Sequence, residues 1–320
     1  MTDAQITLSI VVPLYNSAAT LEVLLAEFAK LSIPGGFELI LVNDGSRDAT
    51  EEIALRLLAT APMRITYLHL SRNFGEHNAI LAGLRACSGD FVITMDDDLQ
   101  NPPSEAVKLL DVAQREHRDV VYSVYEEKRH PWWRNAGSSL TNLIADWSID
   151  KPKGLYLSSF RCISRFVVNA ISQCTTPYPY IDGLIFQVTQ NVGVATVRHD
   201  PRRTGESGYK LPSLLRLWMS MFINASIMPL RLATIAGIGL SVIGFISVLE
   251  VTVEHFARHT PLGWGSLMAT VLLFAGTQLL LLGVMGEYVG RIYLGVSEKP
   301  QSVIRRRVVN GQAHESAHRE

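Results

Sequence analysis

Three consecutive aspartates, Asp96-Asp97-Asp98, close an apolar run at 91–95 and precede Leu99-Gln100-Asn101-Pro102-Pro103. Carboxylates at the end of a buried strand repel one another and cost free energy unless a cation sits among them. In an extended chain, side chains alternate with period two, so positions 96 and 98 project to the same side. Asp96 and Asp98 are therefore candidate hard-oxygen ligands for Mg2+ or Mn2+ bridging a diphosphate, with Asp97 on the nucleotide side. Acidic turns are common, and what singles this one out is its place at a strand end.

Three further segments end apolar runs in the same way. Asp44-Gly45-Ser46 offers a carboxylate to a ribose or base edge beside a glycine that permits a tight turn; a helix-capping aspartate is the alternative. Pro13-Leu14-Tyr15-Asn16 can wall a nucleotide pocket, with Tyr15 presenting an aromatic face, and Arg72-Asn73-Phe74-Gly75 supplies Asn73.

The elements that must position these residues follow from periodicity. Nearly continuous apolar runs at 7–14, 38–42, 65–70, 91–95 and 120–124 read as buried strands. Between them lie helical patterns: Leu21, Leu24, Leu25, Phe28 and Leu31; Ile53 and Leu57 behind caps at Ser46 and Asp48; 76–86; and 104–115. Such alternation predicts a doubly wound, mostly parallel α/β sheet with ligands at the carboxyl ends of its strands. Residues 126–227 are less regular and carry Trp132, Trp133 and the Thr176-Pro-Tyr-Pro-Tyr180 cluster, candidates for sugar stacking or for packing. A basic loop at 198–216 leads to Leu211, Leu214, Leu215, Trp218, Met221 and Phe222, spaced as an interfacial amphipathic helix or a soluble core helix.

The 320 residues carry 29 Lys+Arg against 30 Asp+Glu, a formal charge of −1 that excludes a basic nucleic-acid binder. No Asp, Glu, Lys or Arg occurs over 232–249 or over 259–286, and each stretch is long enough to cross roughly 30 Å of hydrocarbon. Lys299 and Arg305–Arg307 follow the second stretch, which places both termini in the cytoplasm. A buried helical hairpin in a soluble core is the alternative. Met1–Gln5 starts no secretory signal, and Cys87, Cys162 and Cys174 lack metal-ligand spacing and read as buried thiols of a reducing compartment. The expected organisation is a catalytic domain over 1–210, an interfacial helix over 211–227, spans at 228–253 and 264–286, and a cytoplasmic basic tail over 287–320. Gly237, Gly239 and Gly244 permit close helix packing and are compatible with a homo-oligomer such as a tetramer.

The segments Val11-Val-Pro-Leu-Tyr-Asn16, Val42-Asn-Asp-Gly-Ser46, Ser71-Arg-Asn-Phe-Gly75 and Met95 to Pro103 together resemble the family 2 glycosyltransferases of GT-A fold. More narrowly they resemble the polyprenyl-phosphate glycosyltransferases. The similarity continues through Ser159-Phe160-Arg161, Arg202…Gly205-Glu206-Ser207…Tyr209 and Gly286-Glu287-Tyr288…Gly290-Arg291-Ile292-Tyr293. It implies a UDP-sugar donor, a membrane-held undecaprenyl or other polyprenyl phosphate acceptor, and inversion by single displacement at the face of a bacterial inner membrane. Pro13, Tyr15 and Asp44 match nucleoside-binding positions, and Asp96 and Asp98 match those that handle metal and diphosphate. Arg202 and Ser207 match the loop that meets phosphates, with Arg203, Lys128 and Arg129 as further acceptor-phosphate candidates; binding to anionic headgroups is the alternative for the arginine pair. Glu287 and Arg291 are equally a helix-surface ion pair.

One departure bears on mechanism. Several relatives place an acid just before the Phe-Arg pair, where this chain has Leu155-Tyr-Leu-Ser-Ser159, and Asp182 is the nearby catalytic candidate. A phosphomonoester is mostly a dianion at neutral pH and needs no deprotonation, so the expectation is that no general base acts. A non-catalytic membrane scaffold with a degenerate transferase domain is the rival reading, against which the intact Asp44, Asp96 and Asp98 stand. A nucleotidyltransferase would bring a glycine-rich, cationic phosphate loop, and residues 13–20 lack one.

Overall fold

The computed structural model describes residues 6–125, 155–177, 179–200, 263–296, 300–309 and 312–314, with isolated positions between 235 and 253. The apolar run Leu8–Leu14 forms β1, whose residues are all buried except the half-buried Pro13. It pairs in parallel with β2 (Phe37–Asn43) on one side and β4 (Phe91–Thr94) on the other, with Val11 opposite Ile40 and Thr94. Period two then divides its side chains between two layers. Leu8, Ile10, Val12 and Leu14 pack into one core with α1 (Leu21–Phe28), α2 (Thr50–Leu58) and α4 (Ala106–Arg115). On the opposite layer Val11 meets α3 (Glu76–Ala86), where a Cβ on Gly83 would stand 2.4 Å from Val11 Cγ1. Gly83 is thus what lets α3 lie directly on the sheet.

The helices bury the faces their spacing predicts. Leu21, Leu24, Leu25 and Phe28 are the buried residues of α1. In α2 the buried positions are Thr50, Ala54 and Leu58, with Ile53 and Leu57 packed at the margin of the core. Asp48 supports the start of α2 as expected, accepting from Thr50 N at 3.1 Å and Thr50 Oγ1 at 2.5 Å. Ser46 does not cap α2; its hydroxyl accepts from Asn16 N at 3.0 Å, because the turns after β1 and β2 lie side by side.

β3 (Arg64–Leu70), β5 (Val120–Tyr125), β6 (Arg161–Ser164), β7 (Val192–Val197), β8 (Ile304–Val309) and β9 (Gln312–His314) complete the predicted α/β sheet, whose order is β7-β5-β6-β4-β1-β2-β3-β8-β9. The pairings make β6 and β8 antiparallel to their neighbours, and the other strands point one way. The insertion of β6 between β4 and β5 is a long-range pairing that no local pattern signals. Two short helices, α5 (Arg165–Ser172) and α6 (Ile181–Val188), follow it.

Part of the segment expected as a basic tail belongs to this sheet. β8 (Ile304–Val309) pairs antiparallel with β3, and β9 (Gln312–His314) pairs with β8. Without β8, β3 would present an open row of backbone donors and acceptors. Alternation along β8 buries Val308 in the core and sets Arg306 Nη1 3.2 Å from Glu51 Oε1. The run Arg305–Arg307 therefore reads as a half-covered strand as well as a charge cluster.

The chain divides into two compact units, 1–216 with 300–320, and 217–299. In the second unit α7 runs unbroken from Trp264 to Val296, 33 residues and about 50 Å at 1.5 Å per residue, well beyond the boundary expected at 286. Among the residues whose side chains are described, no helical run is long and apolar enough to cross a membrane. Gly237 and Gly244 face this helix: a Cβ at Gly244 would stand 2.8 Å from Phe274 Cζ, and one at Gly237 3.6 Å from Leu281 Cδ1. Gly239 meets nothing within 4 Å. The expected interfacial helix at 211–227 lies outside the described residues, as does most of the span expected at 228–253.

Candidate active site

The carboxyl ends of the adjacent parallel strands β4, β1, β2 and β3 carry Pro13, Tyr15, Asn16, Asp44, Asn73 and Asp96–Asp98 on one edge of the sheet. The turns after β1 and β2 are stitched to each other: Asp44 N donates to Leu14 O at 2.9 Å, and Arg47 N donates to Asn16 Oδ1 at 2.9 Å. Asn16 takes a left-handed φ of 55°, which suits an asparagine in a turn. Gly45 is left-handed at φ 66°, and a Cβ there would stand 2.5 Å from the Arg72 carbonyl carbon, so only glycine lets the β2 and β3 turns meet. Tyr15, at 49% exposure, and Asn73 stand at the open rim, while Pro13 is half-buried in β1.

Asp44 turns inward. It is 3% exposed, and its two oxygens accept from Phe74 N at 2.7 Å and Gly75 N at 2.9 Å, the amides leading into α3. It caps neither α2 nor α3, since both amides precede Glu76; it ties the turn after β2 to the turn after β3. Burial pushes its carboxyl above the usual carboxylate range, outweighing the two amides that favour the ionised form.

The acidic turn differs in detail from expectation. β4 stops at Thr94, and Leu99 takes a left-handed φ of 61°, so period-two alternation does not carry through 96–98. Instead, one local and one long-range hydrogen bond set the orientation of Asp98 and Asp96. Asp98 Oδ1 accepts from Gln100 N at 3.1 Å, closing an Asx turn, and Asp96 Oδ2 accepts from Ser159 Oγ at 2.7 Å. Ser159 O in turn accepts from Thr94 Oγ1 at 2.6 Å, so the residue preceding Phe160-Arg161 braces the end of β4. Burial, reinforced by the charges of Asp96 and Asp98, pushes Asp97 up to about 6.

Among the described residues, no group of three His, Cys, Asp or Glu side chains is arranged to enclose a metal ion. The donor set still fits a divalent cation of the Mg2+ type. Such ions are held by one or two carboxylates and take remaining ligands from water and substrate phosphates. Crowded carboxylates at a strand end supply those one or two.

Sequence reasoning did not single out Glu76 or Ser159. Glu76 opens α3 directly after the Asn73-Phe74-Gly75 turn and reaches solvent. Loss of hydration among the surrounding groups, added to by Asp96 and Asp182 and opposed by Arg161, pushes its carboxyl up to about 7. The Ser-Phe-Arg motif contained the signal for Ser159, but its partner could not be read from spacing.

Asp182 lies elsewhere in the logic of the site. It is 6% exposed in the first turn of α6, and its Oδ1 is ion-paired with Arg161 Nη1 and accepts from Tyr122 OH at 2.8 Å. Burial alone would favour a neutral Arg161, but Asp182 reverses that and holds the guanidinium charged. Its Oδ1 is thus already engaged by a buried guanidinium and a phenol inside the domain. Beside it, the His77 ring meets Tyr180 edge-on at 5.3 Å, and burial pushes the imidazole down to about 4. Lys128, Arg129, Arg202, Arg203 and Ser207 lie outside the described residues, as do Trp132, Trp133 and Tyr178.

Residues 9–170 match the family model described as glycosyl transferase family 2. The chain is 35% identical over 305 residues to the undecaprenyl-phosphate 4-deoxy-4-formamido-L-arabinose transferase of Pseudomonas paraeruginosa (strain DSM 24068 / PA7), covering 93% of this chain and 89% of that protein. It is 33% identical over 303 residues to the protein of the same description from Yersinia pestis bv. Antiqua (strain Angola), covering 93% and 92%. Among solved structures, glucosyl-3-phosphoglycerate synthase from Mycobacterium tuberculosis in complex with Mn2+, UDP and phosphoglyceric acid matches with TM-score 0.49 and 23% identity, over 68% of this chain and 76% of that one. The family match spans every strand whose end carries a site residue, and the relatives extend it along the rest: the chain belongs to glycosyl transferase family 2, where it groups with the polyprenyl-phosphate glycosyltransferases.

Proposed function

We propose that this protein transfers a sugar from a UDP-sugar to undecaprenyl or a related polyprenyl phosphate at the cytoplasmic face of a bacterial inner membrane, with inversion. The observation that carries the reading is the braced acidic turn, Asp96 to Asp98, at the carboxyl end of β4 beside the Asp44-held turns. The relatives, named as undecaprenyl-phosphate sugar transferases, support the acceptor class.

In this reading the donor nucleotide lies along Pro13, Tyr15, Asn16, Asn73 and Asp97, and Asp44 acts by holding the 74–75 turn in place. Asp96 and Asp98 would hold Mg2+ or Mn2+, which when bound offsets charge on the departing diphosphate. Lys128, Arg129, Arg202, Arg203 and Ser207 are assigned to the acceptor phosphate. An oxygen of that phosphate forms the bond to the anomeric carbon while the carbon–oxygen bond to UDP breaks, and UDP departs with the electron pair. The attacking dianion has no proton to lose, so a base is unnecessary. The engagement of Asp182 by Arg161 supports that absence. Catalysis is then mainly positioning of two anionic partners.

The acceptor's polyprenyl tail stays in the bilayer, so the site must work at the headgroup plane. Spans over 228–253 and 264–286 with an interfacial helix at 211–227 would keep it there. Exposed apolar side chains along α7, among them Leu279 at 70% and Leu267 at 59%, fit a lipid-facing surface.

The test uses full-length protein in detergent with undecaprenyl phosphate, a panel of UDP-sugars, and Mn2+ or Mg2+ against chelator. A lipid-linked sugar whose formation stops on chelation is the expected result. Metal-independent product, or UDP release without lipid product for every donor, refutes the reading.

A further inference from the structure

Gln301 follows α7 by five residues and is 7% exposed in the catalytic unit, although nothing in its sequence surroundings singles it out. Its Nε2 donates to Thr176 O at 2.5 Å, and its Oε1 accepts from Arg85 Nη2 at 2.6 Å. Arg85, in the last turn of α3, also donates from Nε to Ser172 O at 2.9 Å and from Nη2 to Cys174 O at 2.6 Å. On the other flank Asn78 Nδ2 donates to Pro177 O at 3.2 Å. Two residues beyond Gln301, Val303 O accepts from Ser71 N at 2.8 Å, at the carboxyl end of β3. The backbone at 172–177, which has no regular structure after Gln173, is therefore held by side chains from α3 and from the segment that precedes β8.

That backbone leads directly to Tyr180 and Asp182. Asp182 pairs with Arg161, Arg161 follows Phe160 and Ser159, and Ser159 bonds Asp96. A shift at Thr176 is thus passed along a chain of named contacts to a carboxylate of the acidic turn. We propose that Gln301 is a positioning residue for the sugar-transfer site: it clamps the 172–177 segment and thereby the Arg161–Asp182 pair behind Asp96. A misplacement on the order of 1 Å at a reacting centre can cost about a hundredfold in rate, so a partial loosening is expected to cost less. The catalytic consequence rests on the function proposed above; the clamp itself does not.

The experiment compares full-length wild type with Gln301→Ala and Gln301→Glu. Glutamate keeps the acceptor for Arg85 but cannot donate to the Thr176 carbonyl or to Cys174 Sγ, so it removes the donor half of the clamp alone. Amide hydrogen exchange over 172–182, thermal midpoint, and kcat and donor KM are measured on the same preparations. The expected result is exchange over 172–182 faster by about fivefold or more, with the midpoint lowered by no more than about 4 °C, as the loss of one hydrogen bond implies. With it, kcat falls about tenfold and donor KM changes less than about twofold. Unchanged exchange over 172–182 overturns the clamp. Faster exchange with unchanged kcat, or losses of kcat that only follow global unfolding, overturns the positioning role. If wild type makes no lipid-linked sugar from any donor, the proposed function fails while the exchange measurement still decides the clamp.

Discussion

Arg161 and Asp182 form an ion pair inside the domain, at 1% and 6% exposure, with Tyr122 OH completing the contact to the same carboxylate oxygen. The pair joins β6 to α6 across the space behind the acidic turn. Removing one partner strands the other charge in a poorly hydrated interior, which costs more than the pair itself contributes.

Asp182→Asn is accordingly a folding variant in the first place. It is expected to destabilise the domain by roughly 3–5 kcal/mol, with activity per folded molecule reduced far less than removal of a base requires. Thermal unfolding and single-turnover rates on the folded fraction check this. A thousandfold loss in kcat at an unchanged midpoint would restore Asp182 as a catalytic base.

For Asp96→Ala and Asp98→Ala the expected loss is in chemistry. Each is expected to lower kcat by about a hundredfold or more, the scale seen when a group stabilising transition-state charge is deleted. Chelation of the wild type is expected to have an effect of the same size and to be reversed by adding Mn2+ or Mg2+. Full activity of the double variant would exclude the acidic turn from the reaction.

Glu76 supplies a pH signature. Its carboxyl is pushed up to about 7, chiefly by loss of hydration, whereas in the unfolded chain it titrates in the ordinary carboxylate range. Between those values the folded state binds the extra proton, so stability falls as pH rises through that window to about 7. The wild type is expected to melt lower at pH 8 than at pH 6, and Glu76→Gln to flatten that slope. A variant slope equal to that of the wild type would remove Glu76 as its source.

Gly45→Ala tests the meeting of the β2 and β3 turns. The new Cβ would meet the Arg72 backbone at 2.5 Å from a left-handed φ, and backbone atoms cannot swing aside as a flexible side chain can. A cost of roughly 2 kcal/mol or more is expected, together with a raised donor KM, read by denaturant unfolding and steady-state kinetics. A neutral substitution would mean that the two turns are free to separate.

The strands β1 through β5, the helices between them and the polar residues at strand ends were legible in the sequence as elements in chain order. Period-two and period-3.6 patterns are written by residues a few positions apart, so local burial reveals them. The acidic turn was legible for the same reason, as was Asp44 as a residue with two competing roles. What the tertiary structure alone decided is which distant groups meet. β6 slips between β4 and β5, the segment after α7 returns to pair with β3, Ser159 braces Asp96 across 63 positions, and Arg161 claims Asp182. Buried polar groups take whichever partner the chain's path brings within hydrogen-bonding distance, and that path is set by the packing of the whole domain, which leaves no periodic trace in the residues on either side.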